Sequence, residues 1–147
     1  MLRNPDHVTI AVADAARAIE FFALLGFEEQ HVATIDGGEP AKYMGMPDMK
    51  AQHITLVLEG REPRFEIQLL EFTPTPGDDP GLHPTNLRER GFNHLAFRVD
   101  DIDAVLPRLR ARGAELVGEV ERYGRNIRLC YVRGPEGIIV ELAEQNG

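Results

Sequence analysis

The sequence predicts an α+β fold made of two copies of one βαβββ module. Three observations carry this. The segment beginning His7, HVTIAVADAARAIEFFALLGF, is echoed by the segment beginning His94, HLAFRVDDIDAVLPRLRARGA. Counting from each histidine, a Val stands five residues on (Val12, Val99), an Asp seven on (Asp14, Asp101) and a Gly nineteen on (Gly26, Gly113). Ordered matches at fixed offsets mark an internal repeat. The copies also close alike, Gln68-Leu69-Leu70-Glu71 against Glu141-Leu142-Ala143-Glu144. Finally, each copy passes from period-two alternation to a helical stripe and then back to strand-like runs. A single domain over 1–147 is expected, with module one at about 1–72, a Pro/Gly-rich linker at 73–92 and module two at about 93–146.

The elements follow in order. Val8, Ile10 and Val12 alternate with His7, Thr9 and Ala11, as in a half-buried strand. Asp14 suits a helix N-cap; Ile19, Phe22 and Leu24 or Leu25 form the apolar stripe, and Gly26 ends it. In module two Leu95, Phe97 and Val99 make the strand, Asp101 the cap, Ile102, Val105 and Leu109 the stripe, and Gly113 the stop. Pro107 falls inside that helix and predicts a kink or a delayed start. Strands are expected at 27–33, 52–59 and 65–72, and again at 115–120, 126–133 and 138–144. Gly60-Arg61-Glu62-Pro63 and Gly134-Pro135-Glu136-Gly137 are the hairpin turns between them. The stretch 34–50 reads as a long loop, and long loops on a compact scaffold tend to bind or cover ligands.

Composition narrows the function classes. A 147-residue chain that is 43% hydrophobic has enough apolar material for one real core. No apolar run approaches the roughly 18–20 residues that span a bilayer, and MLRNPDHVTI lacks the apolar stretch of a signal peptide. A cytoplasmic protein without a membrane partner is therefore expected. Net charge −8 argues against nucleic acid as a partner. A lone cysteine, Cys130, excludes a disulfide framework and any multi-cysteine zinc site.

Strand alternation then proposes a site. If Val8, Ile10 and Val12, and likewise Leu95, Phe97 and Val99, pack under the helices, His7 and His94 point to the opposite face. Ile67 and Leu69 turn Gln68 the same way, and Val140 and Leu142 do so for Glu141. Two imidazoles, a carboxylate and an amide oxygen at repeat-equivalent positions suit a borderline divalent ion with positions left open for substrate. Each of these residues taken singly is more often an ordinary hydrogen-bonded strand residue.

These motifs resemble the vicinal oxygen chelate superfamily, which includes glyoxalase I, methylmalonyl-CoA epimerase, extradiol dioxygenases and the fosfomycin and bleomycin resistance proteins. DHVTIAV, EIQLLEF, GFNHLAFRVDDIDAV and GPEGIIVELAE stand where that family keeps its four metal-bearing strands. The resemblance spans essentially the whole chain. It implies paired βαβββ modules forming an open cup-shaped mixed sheet around one metal ion, with ligands His7, Gln68, His94 and Glu141. It implies a homodimer as well. The metal is open among Zn, Ni, Co, Mn and Fe, because N/O ligands accept all of them.

The ligand order His, Gln, His, Glu is most similar to methylmalonyl-CoA epimerase, and VDDIDAV followed by LRARG adds to the likeness. The implied reaction is proton transfer alpha to a carbonyl of a small-molecule substrate through a metal-stabilised enolate. Glu141 is the ligand expected to handle the proton. The strand AQHITLVLEG departs from the epimerase pattern: its cleft-side residues are His53, Thr55 and Val57, with no carboxylate before Glu59, so His53 is the candidate second base. Lactoylglutathione lyase chemistry fits the same scaffold. An extradiol dioxygenase with Fe(II) on His7, His94 and Glu141 is the alternative. It is supported by Tyr131 ten residues before Glu141 and weakened by Arg122-Tyr123-Gly124-Arg125 where that signature carries a histidine. A drug-binding resistance protein without catalysis is the third reading.

Arg128 and Asn126 alternate with Ile127 and Leu129, so both are expected on the cup side as substrate-binding residues. An Arg128 paired with a neighbouring acid is the plain alternative. Met44, Met46 and Met49 offer an adaptable apolar wall within the long loop.

Overall fold

The computed structural model describes residues 6–46, 48–74, 87, 92–123 and 125–145. Two compact units divide the chain, 1–77 and 78–147. The first runs β1 (His7–Val12), α1 (Ala15–Ala23), β2 (Phe27–Asp36), α2 (Gly38–Tyr43), β3 (Lys50–Leu58) and β4 (Glu66–Phe72). The second repeats the scheme as β5 (Leu95–Val99), α3 (Ile102–Arg110), β6 (Glu115–Tyr123), β7 (Ile127–Arg133) and β8 (Ile139–Gln145). The strand orders are β1-β4-β3-β2 and β5-β8-β7-β6. In each sheet the first and last strands pair in parallel and the others antiparallel. This is the α+β duplication that the sequence predicts.

Each helix starts where the repeated Asp stands. Asp14 accepts the backbone N–H of Arg17 at 3.0 Å, and Asp101 that of Ala104 at 3.1 Å. A second carboxylate closes each helix start from the sheet. Glu71 Oε1 accepts the N–H of Ala15 at 2.9 Å, and Glu144 Oε2 that of Ile102 at 2.8 Å. Helical first turns leave their N–H groups without intrahelical partners, so the pairing of cap and strand-borne carboxylate is what docks helix to sheet. Gly26 and Gly113 end the turns beyond α1 and α3 at φ +95° and +87°, values that glycine takes without strain. Pro107 does not delay α3, whose cap and first turn form at Asp101 as in module one.

The helix-side faces are closed by mostly apolar residues. Phe22, Leu56, Ile67 and Leu69 are almost fully buried in the first unit, as are Ile102, Leu109, Val132, Val140 and Leu142 in the second. Phe21, Phe22, Phe27 and Phe65 pack edge to face in sequence, with centroids 5.3–6.2 Å apart.

The segment 34–50 differs from its expectation as a loop. β2 continues through it to Asp36, α2 follows, and β3 begins at Lys50. Ala41 of α2 is fully buried against Met49, Ala51 and Leu70. A helix of six residues has no stability of its own in water, so it is this packing that holds it. The linker expected at 73–92 lies mostly outside the described residues.

Candidate metal centre

In the first unit, β1, β4, β3 and β2 turn their alternate residues to the face away from α1. The register sets Thr9 opposite Gln68, Thr55 opposite Gln68, His53 opposite Leu70, and Ala33 opposite His53. His7, Thr9, His53 and Gln68 line one end of a cavity of about 540 Å³ on this face. Ala33, Ile35, Pro40, Met44 and Leu70 line the rest. Of the three methionines expected to form an apolar wall, Met44 does so; Met49 is buried behind it and Met46 is 40% exposed.

The polar end is ordered by hydrogen bonds. His53 Nε2 lies 2.9 Å from Gln68 Oε1, and Gln68 Nε2 donates at 3.4 Å to Glu66. The amide is therefore held with its oxygen toward His53. Because a carbonyl oxygen has two lone pairs, Gln68 Oε1 keeps one for a further partner.

In the second unit, His94 Nε2 lies 3.3 Å from Glu141 Oε2. The Tyr131 ring packs edge-on against the His94 imidazole at 5.0 Å. Its hydroxyl is hydrogen-bonded to Glu141, directly opposite in the β7–β8 register, and this bond, with lesser help from burial, raises the phenol above its ordinary 10.0.

A feature common to both units concerns the residue before each histidine. His7 Nδ1 lies 2.7 Å from Asp6 Oδ2, and His94 Nδ1 lies 2.8 Å from Asn93 Oδ1. Both partner atoms are oxygens that only accept, so each Nδ1 donates and Nε2 is the nitrogen left for a further partner. At His94 that Nε2 lies against the Glu141 carboxylate oxygen. The separation is that of adjacent ligand atoms on one ion with bonds of about 2.1 Å. Within the second unit, imidazole nitrogen and carboxylate oxygen are donor types that suit a borderline divalent metal. Among the described residues no three His, Cys, Asp or Glu side chains gather at one point; His7 and Gln68 lie in the first unit, His94 and Glu141 in the second.

The two expected substrate-binding residues lie elsewhere. Arg128 is on the helix side of its sheet, making two 2.9 Å hydrogen bonds to Asp103 of α3 and longer ones to Glu144. Asn126 is exposed in the turn before β7. The reason is that β7 is apolar on both faces, so alternation alone did not say which face was which. Tyr131, noted above only for its spacing from Glu141, takes the position on the His94 side instead. The signal was present: the tight Gly134–Gly137 turn places Arg133 opposite Ile139, and hence Tyr131 opposite Glu141.

Comparison with known proteins agrees with this architecture. The model of the Glyoxalase/Bleomycin resistance protein/Dioxygenase superfamily matches residues 4–142. The chain is 34% identical to a crystallised glyoxalase family protein from Bacillus cereus, over 100% of this chain and 97% of that one, with a TM-score of 0.89. It is 26% identical over 146 residues to the lactoylglutathione lyase of Pseudomonas aeruginosa, covering 95% of this chain and 81% of that protein. A mutant fosfomycin resistance protein from Listeria monocytogenes, crystallised with Mn(II) and 1S,2S-dihydroxypropylphosphonic acid, shares the fold at 21% identity and a TM-score of 0.65, over 99% of this chain and 93% of that one. With a family match across nearly its whole length and the duplicated βαβββ fold, the chain belongs to the glyoxalase/bleomycin resistance protein/dioxygenase superfamily.

Proposed function

We propose that this protein is a divalent-metal-dependent enzyme of the glyoxalase/epimerase type, moving a proton alpha to a carbonyl of a substrate with two neighbouring oxygens. The observation that carries this reading is the His94 Nε2–Glu141 Oε2 approach with Nδ1 already committed to Asn93. The parallel pairing of His7 with Asp6, the lactoylglutathione lyase relative and the Mn(II) complex of a shared-fold protein support it. His7, Gln68, His94 and Glu141 are the proposed ligands.

A bound divalent ion supplies Lewis acidity to a substrate carbonyl, which acidifies the neighbouring C–H. The protein supplies the rest. Glu141 accepts the proton at a carboxylate oxygen, and the Tyr131 hydroxyl keeps that carboxylate oriented. With Nε2–H donated to Gln68, His53 presents Nδ1 as a second proton acceptor. Gln68 is neutral and a poor base, so its part is binding.

The test is metal analysis of protein purified without chelator, followed by reconstitution with Zn, Ni, Co, Mn or Fe(II). Each form is then assayed for exchange of the α-proton of hemithioacetal and 2-substituted acyl thioester substrates in D2O. Stoichiometric metal with exchange in a reconstituted form is the expected result. Oxygen uptake with catechols by the Fe(II) form would replace the reading with a dioxygenase. Absence of metal uptake would leave a binding protein.

A further inference from the structure

The cavity of the first unit is divided end to end by chemistry. His7, Thr9, His53 and Gln68 gather at one end. From Gln68 and His53 the register leads to Leu70 and Ala33, and one pleat further to Ala51 and Ile35. α2 adds Pro40 and, at its C-cap, Met44. This apolar end is braced from behind: Ala41 is fully buried, Met49 is 6% exposed, and Ile35 and Met44 pack on the cluster they form with Ala51 and Leu70. Among the described residues lining the cavity there is no Lys or Arg.

We infer that the apolar end is a subsite for an uncharged aryl or branched-alkyl substituent, carried by a substrate whose paired oxygens sit at the histidine end. The inference rests on the metal reading above for the oxygen end only. An anionic tail such as a phosphonate, phosphate or carboxylate would be desolvated here against Ile35, Met44 and Leu70 without a cationic partner, at a cost that burying a charge always carries. An apolar group instead gains from leaving water. Size permits it: a cavity of about 150 Å³ already holds benzene, and this one is about 540 Å³. The thioether of Met44 suits ring faces and adapts to their shape.

The experiment uses hydroxamates, which carry two neighbouring oxygens and a variable tail. The full chain, metal-free and Co(II)-loaded, is titrated with acetohydroxamate, benzohydroxamate and succinohydroxamate while methionine methyl resonances are followed by NMR. Benzohydroxamate should bind the Co(II) form at least tenfold more tightly than acetohydroxamate, and succinohydroxamate no more tightly than acetohydroxamate. The Met44 methyl should shift saturably with benzohydroxamate while that of exposed Met46 stays in place. Met44→Ser and Ile35→Thr, each checked for retained fold by circular dichroism, should reduce the benzo-to-aceto ratio severalfold. Equal affinity for the phenyl and carboxylate tails, or an unmoved Met44 methyl, overturns the subsite. Failure of the metal reading looks different: affinities then do not depend on Co(II), while the phenyl preference and the Met44 shift persist.

Discussion

Glu144 Oε2 accepts the backbone N–H of Ile102 at 2.8 Å, so the last turn of β8 side chains fastens the first residue of α3. The carboxylate is 7% exposed, and Arg128 lies 3.4 Å away. Truncation in Glu144→Ala would leave a buried N–H unpaired, which costs about 1–3 kcal/mol. Urea denaturation should show a loss in that range. Glu71→Ala, which removes the same bond from Ala15 in a less buried setting, should lose less. Equal losses would mean that burial does not set the cost.

The ligand assignment predicts sharply different variants. His94→Ala and Glu141→Ala, like His7→Ala, should abolish stoichiometric metal binding, measured by competition with a chromogenic chelator. Gln68→Ala should weaken affinity while leaving the fold intact. Undiminished affinity in Gln68→Ala would reduce the set to two histidines and a carboxylate, the arrangement of the dioxygenase alternative.

Groups one step behind the ligands should matter less but measurably. Tyr131→Phe removes the donor to Glu141 while keeping the ring against His94. Asn93→Ala removes the acceptor that fixes the His94 tautomer. Loss of such supporting bonds typically costs about 10–100-fold in metal affinity. The Co(II) absorption spectrum should shift in both variants; an unchanged spectrum and affinity would assign these residues to structure alone.

The Arg128–Asp103 pair gives a pH signature. The hydrogen bond from Arg128, followed by its charge, holds the Asp103 carboxyl below its ordinary 3.8. A depressed carboxylate stabilises the fold above the unfolded-state value, and this contribution is lost as pH falls through the lower folded-state value. Wild type should therefore exceed Asp103→Asn in stability at neutral pH, and the gap should begin to narrow as the pH falls below 3.8 and close only below the lower folded-state value. Because the pair is near the surface, molar salt should narrow the gap at neutral pH. A gap that widens in acid would contradict this.

Cys130 is 1% exposed, and burial pushes its thiol up, so the reactive thiolate is scarce as well as hidden. A chromogenic disulfide reagent should leave native protein unlabelled for hours and titrate one thiol per chain in concentrated guanidinium. Fast native labelling would show that β7 opens readily.

Much of this was legible because repetition constrains more than propensity does. Asp14 and Asp101, Gly26 and Gly113, and the two closing motifs each had a partner at a matching offset, and each partner performs the same backbone task. Features without a partner were harder to read. α2 has too few residues for a periodic stripe, and only distant Ala51 and Leu70 make it a helix. Arg128 and Tyr131 sit on a strand apolar on both faces, where hydrophobicity could not choose an orientation and hydrogen-bond register did. Glu71 and Glu144 were visible as a match, but their task depends on how the strand end meets the helix start, which spacing does not reveal.

The two modules part company at one connection. Between β2 and β3 the chain makes an excursion that includes α2, whereas only three residues separate the end of β6 at Tyr123 from the start of β7 at Ile127. Pro40 and Met44 come to the chamber from this excursion, while its histidines and Gln68 come from the sheet, so one wall is built by a segment separate from the polar end.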